Sequence, residues 1–314
     1  MPIRPIRSKH NPIIYPNLDD RIERNINGPA LIRVPDWVSN PLGQYYLYFA
    51  HHQGKFIRLA YANNVLGPYT VHTQGVLQIS DTSFEKHIAS PDVHIDHAAE
   101  KIRMYYHGAG FTGPKPEDLK QVTCYAESDD GLNFVTDHVG LGTSYMRIFQ
   151  WDGWYYGFGG GSSRQLWRTK NNRELFERGP KLPIENENYT DTADFAPGAD
   201  TIYRTRHPAL HLRDHELDIY YSNVGDTPER IKRTTVDLRS DWTEWRGSAP
   251  EEILRTENTY EGLDLPSEPS TGGSSHIRVH QVRDPYLYIE NDCKYLVYSV
   301  AGETGLGIAE LIDD

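Results

Sequence analysis

Cysteine is nearly missing from this chain, as are excess positive charge and any long apolar run. The two cysteines in 314 residues, Cys124 and Cys293, stand far apart in strand-like stretches. They read as two buried free thiols, not as a disulfide framework or a metal-binding pair. Lys and Arg number 32 against 44 Asp and Glu, a formal net charge of −12. With no basic run to offset it, nucleic acid is not an expected partner. No apolar stretch approaches the roughly 20 residues that cross a bilayer, so no membrane association is expected. The opening MPIRPIRSKHNPIIYP lacks the continuous apolar core of a secretory signal, and a cytoplasmic location is expected. Gly-rich phosphate loops, nucleophile elbows and zinc-ligand spacings are also missing.

Aromatic residues, glycine and proline are plentiful. The chain is 38% hydrophobic and 11% aromatic, with 21 Tyr, 26 Gly and 20 Pro, a composition of aromatic strands joined by tight turns. Five segments repeat one pattern of apolar strand, polar turn, Tyr-rich strand, Gly- or His-containing loop and third strand. They begin at NGPALIRVPDW, SPDVHIDHAAE, SYMRIFQWDG, RHPALHLRDHE and RDPYLYIENDC. Their second strands centre near Tyr46, Tyr105, Tyr155, Tyr220 and Tyr298. This spacing suits four-stranded blades, so the expected fold is all-β: a five-bladed β-propeller around a central channel, one domain over residues 1–314. Regular repetition argues against two separate β-sandwiches. The last repeat ends after its third strand, and NPIIYP at 11–16 is expected to supply the fourth, closing the ring.

Strand direction then sorts the acids. Asp36, Asp96, Asp152, Asp214, Glu290 and Asp292 fall in turns on one face, where turn hydrogen bonding accounts for them. The other face collects the starts of the innermost strands: Asn27, Ser90 with Asp92, Tyr145 with Arg147, Arg206 with His207, and Arg283 with Asp284. Neighbouring loops add His51, His52 and Glu303. Adjacent residues on an extended segment point to opposite sides, so at most one of His51 and His52 faces the axis. Two long acidic crossings, at 184–200 and 256–275, are expected walls or lids.

Carboxylates, arginines, imidazoles and aromatic rings around one axis suit a sugar. Hydrolysis of a glycoside needs one protonated and one ionised group. Asp284 beside Arg283 fits the ionised role. Glu303 or Glu261 fits the acid, and Asp92 an orienting or hydroxyl-binding role. Asn27, His51, His52, Tyr145, Arg147, Arg206, Glu261 and Arg283 are candidate substrate contacts. No cofactor is required; a channel cation held by one His, water and carboxylates is an open alternative.

Phrases such as GQYYLYFAHHQGKFIRLAYANNVLGPYT and TCYAESDDGLNF resemble blades of the five-bladed propeller glycosidases of families 43, 32 and 117. The resemblance implies a glycoside hydrolase, expected here to release a terminal sugar from a short oligosaccharide. It also implies a base Asp opening the first blade, where this chain has Asn27 and Gly28. The RDP of Arg283–Pro285 resembles the motif by which fructosidases hold a transition-state-stabilising Asp. TRHPAL around His207 is more like family 117, in which a histidine acid has been proposed, so His207 rivals the glutamates. Two other readings stay open: a propeller that binds sugar without cleaving it, and a lyase or isomerase. In the latter, His207 and Tyr145 take a proton while Arg147, Arg206 and Arg283 hold a carboxylate.

Overall fold

The structure is a computed structural model that describes residues 3–159, 164–187 and 204–313. Among them, five antiparallel sheets follow one another along the chain. The five innermost strands are Asn27–Arg33, Phe84–Asp96, Met146–Trp151, Arg204–Arg213 and Arg283–Glu290. Each touches the next, and the last touches the first, which makes a closed ring of five blades. Most of the crossing at 184–200 lies outside the described residues.

A blade packs on both faces, so its central strands need no polar side. Tyr45–Ala50 is buried at every residue. Among the described residues, five apolar clusters form the core, one between each pair of neighbouring blades. Tyr46, Tyr48, Tyr106 and Cys124 belong to the cluster between blades one and two, and Tyr156, Phe158, Trp242 and Trp245 to that between three and four. This explains the tyrosine excess: a large ring spans the gap between sheets while its hydroxyl reaches a partner at the edge, as Tyr48 does in donating to the Gly131 carbonyl at 3.0 Å. Cys124 is buried and Cys293 half-buried, and both are free.

The ring closes through the N-terminus, but with a different segment from the one the sequence suggested. Ile3–Arg7 pairs antiparallel with Leu306–Asp313 along its full length, from Ile3 opposite Asp313 to Arg7 opposite Ala309. Residues 11–16 add only a bridge between Ile14 and Leu306. Prolines at 12 and 16 leave that segment too few amides for a ladder, whereas the single Pro5 is tolerated on an edge strand.

Arg7 fastens this closing strand. Its Nε donates to Glu261 Oε1 at 2.7 Å and its Nη1 to Glu257 Oε2 at 2.6 Å. The fully buried Glu261 also accepts from the Tyr298 hydroxyl at 2.7 Å and from the amides of Glu257 and Asn258. Removing Arg7 leaves a buried carboxylate without its cation. Arg7→Ala is therefore expected to lower unfolding free energy by about 3–5 kcal/mol in urea melts at neutral pH, with partial recovery in Arg7→Lys; a loss below about 1 kcal/mol would contradict this closure.

Candidate active site

One backbone feature recurs at the same register in all five blades. Gly28, Ser90, Tyr145, His207 and Asp284 have φ of 57°, 53°, 57°, 49° and 52°. All but Tyr145 precede a proline, which disfavours helical backbone at the preceding residue and makes the left-handed conformation more unusual still. In those four blades the ladder shifts register at this point, and such a bulge re-aims side chains. The result is a ring of one residue per blade around the channel mouth. Strain of this kind, about 1–3 kcal/mol per non-glycine residue, persists only where surrounding contacts fix it.

Those contacts run around the ring. A Cβ on Gly28 would lie 2.9 Å from Ser90 Cα, so blade one leaves no room for a side chain. Tyr145 stacks on His207 with centroids 4.0 Å apart. His207 Nδ1 contacts Asp284 Oδ1, and Asp284 Oδ2 accepts from the Ser299 hydroxyl at 3.0 Å. Asp284 is fully buried. His207 Nδ1 and Asp284 Oδ1 have no other partner among the described residues, and two such bases in contact require a proton between them. Burial, then the charges of Arg206, His52 and Arg283, hold the His207 imidazole well below its usual range. We assign it as neutral, with Nδ1–H donating to the Asp284 carboxylate and Nε2 left as an acceptor. Burial pushes the Tyr145 hydroxyl up to about 12 despite Arg147 and Ser90.

Two residues deeper along the same strands stand Ala30, Asp92, Arg147, Ala209 and Tyr286. Arg147 fills the channel at this level. Its Nη1 donates to the Pro91 carbonyl at 2.5 Å and its Nε to the Pro208 carbonyl at 3.1 Å. It also lies 4.8 Å over the Tyr145 ring, 5.8 Å over Tyr286 and 3.7 Å from Asp92. Asp92 further accepts from His94 Nε2 at 2.8 Å and from the Ile148 amide at 2.9 Å. Burial raises its carboxyl, but His94, Arg147 and that amide outweigh burial and hold it low. Among the described residues, no group of three or more His, Cys, Asp or Glu side chains is placed to hold a metal.

Beside the ring lies a buried charge network that includes a residue the sequence reading missed, Glu229. Arg206 Nε is 3.0 Å from Glu229 Oε1, Arg283 Nη2 is 3.4 Å from Glu229 Oε2, and Arg283 Nη1 is 3.3 Å from Glu303 Oε1. Glu303 also accepts from Asn25 at 2.5 Å and Asn27 at 3.0 Å. His52 Nδ1 lies 3.7 Å from Glu303 Oε2. Burial raises Glu303, but Arg283, His52 and Asn25 bring it below its usual range. For His52 burial outweighs Glu303 and the pKa is lowered. Two glutamates and two arginines, each at most 4% exposed, cancel one another. Nothing in the sequence distinguishes Glu229 from other loop acids; its link to the Ser222 hydroxyl at 2.6 Å is a product of the fold.

The crossing at 256–275 closes over this network: Arg206 donates to the Thr271 and Gly273 carbonyls at 2.7 and 3.3 Å, and Asn25 to the Ser275 carbonyl at 3.0 Å. The first half of that crossing behaves differently. Glu261 bonds to Arg7, Tyr298 and its own turn, so it stands apart from the ring. His51 turns to Glu23 at 3.0 Å while His52 faces Glu303. His107, 5.5 Å from Tyr145, and His87, 6.2 Å from His107, complete the mouth. Burial and His52 push His87 down to about 4.

Glu229→Gln leaves one buried arginine charge uncompensated, and a loss of about 3–5 kcal/mol in stability is expected. Gly28→Ala meets both a positive φ and a 2.9 Å backbone clash; chemical denaturation should show it at least about 1 kcal/mol less stable, and an unchanged midpoint would contradict the packed ring.

No family profile matches the chain. It is 35% identical over 311 residues to the uncharacterized protein R118 of Acanthamoeba polyphaga mimivirus, covering 91% of this chain and 83% of that one. Among solved structures it resembles a family-43 enzyme from Xanthomonas citri at 15% identity and TM-score 0.59, over 94% of this chain and 88% of the other. It resembles a family-43 β-xylosidase/α-arabinofuranosidase from a compost metagenome at 16% identity and TM-score 0.59, over 98% and 94%. A putative glycoside hydrolase from Bacteroides ovatus gives 13% identity and TM-score 0.62 over 99% and 96%. The chain belongs to the family of the mimivirus protein, a divergent branch of the five-bladed β-propellers whose fold the family-43 glycoside hydrolases share.

Proposed function

We propose that this protein is a glycoside hydrolase that releases a terminal neutral sugar from a short oligosaccharide, with proton transfer by histidine. The observation that carries the reading is the contact of His207 Nδ1 with the buried Asp284 carboxylate at the channel mouth. A neutral imidazole held this way has Nε2 free to take a proton, and the carboxylate stabilises the imidazolium that forms. Family-43 relatives in fold have been solved with xylose and xylotriose, which supports short oligosaccharides as the substrate class.

The step balances with two imidazoles. His207 Nε2 takes a proton from water as the water oxygen attacks the anomeric carbon. The glycosidic C–O bond breaks, its electron pair goes to the leaving oxygen, and that oxygen takes a proton from His52, seated on Glu303. Asp284, Glu303, Glu229 and Asp92 are all buried and each accepts a hydrogen bond, which disfavours these four as groups that attack carbon. A single displacement with inversion follows. The charges of Arg206 and Arg283 are balanced by glutamates and that of Arg147 by Asp92, so none of these three brings a net positive charge to a uronate. This weighs against the lyase reading and favours a neutral sugar. The same full pairing of carboxylates favours, as a second reading, a propeller that binds sugar without cleaving it.

On a panel of short oligosaccharides, the expected product is a new reducing end of inverted configuration by proton NMR. His207→Ala should lower kcat by about 10²–10⁴-fold, with Asp284→Asn in the same range. Sugar-dependent thermal stabilisation with no product from any substrate would favour the binding reading. The base must be neutral and the acid protonated, and both imidazoles lie below 6.5. The kcat profile should therefore be bell-shaped, falling at low pH as His207 gains a proton and at higher pH, below 6.5, as His52 loses one; a plateau through neutral pH would contradict these roles.

A further inference from the structure

We infer that the opposite face of the propeller carries a second sugar-binding pocket, separate from the channel mouth and independent of the catalytic reading above. Between blades two and three lies a cavity of about 310 Å³, lined by His94, His97, Arg103, Tyr105, Gln150 and Tyr155 among others. It sits beside the turns Asp96–Lys101 and Trp151–Trp154, which join the first two strands of those blades. The volume is at the small end of ligand pockets, about 300–1,000 Å³, enough for one sugar ring. Arg147 and Asp92 fill the channel between this pocket and the mouth, so one oligosaccharide cannot thread both.

The lining selects a neutral, hydroxyl-rich ligand. Arg103 Nη2 is ion-paired with Asp96, so its charge is already balanced. Its Nε, however, is buried and has no hydrogen-bond partner, a situation that disfavours the empty pocket and favours an oxygen acceptor in it. Asp96 is otherwise engaged by the amides of Ala98 and Ala99 at 3.0 and 3.1 Å. His94 Nε2 is committed to Asp92 at 2.8 Å, which leaves Nδ1 as an acceptor when the ring is neutral. Tyr105 stands edge-on to His94 at 5.7 Å, and Tyr155 is half-buried at the rim. Aromatic walls, a charge-balanced guanidinium with one unused donor, and imidazole and amide groups of both polarities match the alternating faces and hydroxyls of a sugar better than an oxyanion.

The test is a titration of the full-length protein with D-xylose and D-glucose, followed by NMR of the His94 and His97 imidazole protons, with inorganic phosphate as control. Saturable shifts in the millimolar range are expected from at least one sugar. Gln150→Ala and Tyr155→Ala should each raise the dissociation constant about tenfold or more, a change of roughly 1.4 kcal/mol, while His207→Ala leaves it unchanged. Matching melting temperatures would show that the rim variants fold. Absence of saturable shifts, shifts indifferent to both rim variants, or a response to phosphate alone would each overturn the inference.

Discussion

A left-handed backbone at the same register of all five blades is the constraint on which this molecule depends. It is unfavourable at four of the five positions, since Ser90, Tyr145, His207 and Asp284 carry side chains. The blades hold it through contacts between ring residues of neighbouring blades, Gly28 with Ser90, Tyr145 with His207 and His207 with Asp284. The stack of Tyr145 on His207 and the contact of His207 with Asp284 are contacts between blades at the channel mouth. Closure of the ring and formation of the site are therefore one event, and the strand that completes it, Ile3–Arg7, comes from the far end of the chain.

Arg147 supports this arrangement from below. A guanidinium at 2% exposure would be costly without partners, and here two backbone carbonyls, one carboxylate and two aromatic faces supply them. Its reach from blade three to Pro91 and Pro208 places it directly behind the left-handed residues of blades two and four. The lateral network of Arg206, Glu229, Arg283 and Glu303 uses the same logic with internal neutrality. Buried charge at this mouth is thus largely paired internally, and the imidazoles of His52, His87, His107 and His207 have lowered pKa values set chiefly by burial.

Much of this was legible in the sequence. Apolar strands, Tyr-rich second strands and five repeats gave the blades, and strand direction placed Asn27, Asp92, Tyr145, Arg147, Arg206, His207, Arg283 and Asp284 on one face. What the sequence could not reveal was pairing. Asp284 next to Arg283 suggested an ion pair along the strand, but neighbours on an extended strand diverge, and each bonds to a residue from another blade or loop. Glu229 and Glu261 look alike as loop acids; only the fold separates the one inside the arginine network from the one that fastens the closing strand. The closing segment itself was misassigned because NPIIYP is the more apolar run, whereas ladder formation depends on available amides.

The account rests on one protonation state, a neutral His207 with its proton on Nδ1. Nitrogen-15 NMR of the labelled imidazole across pH tests it directly. A protonated Nδ1 and an unprotonated Nε2 are expected at neutral pH, persisting well below pH 6.5, with the tautomer lost in Asp284→Asn. An Nε2–H tautomer, or an imidazole that titrates near 6.5, would contradict it.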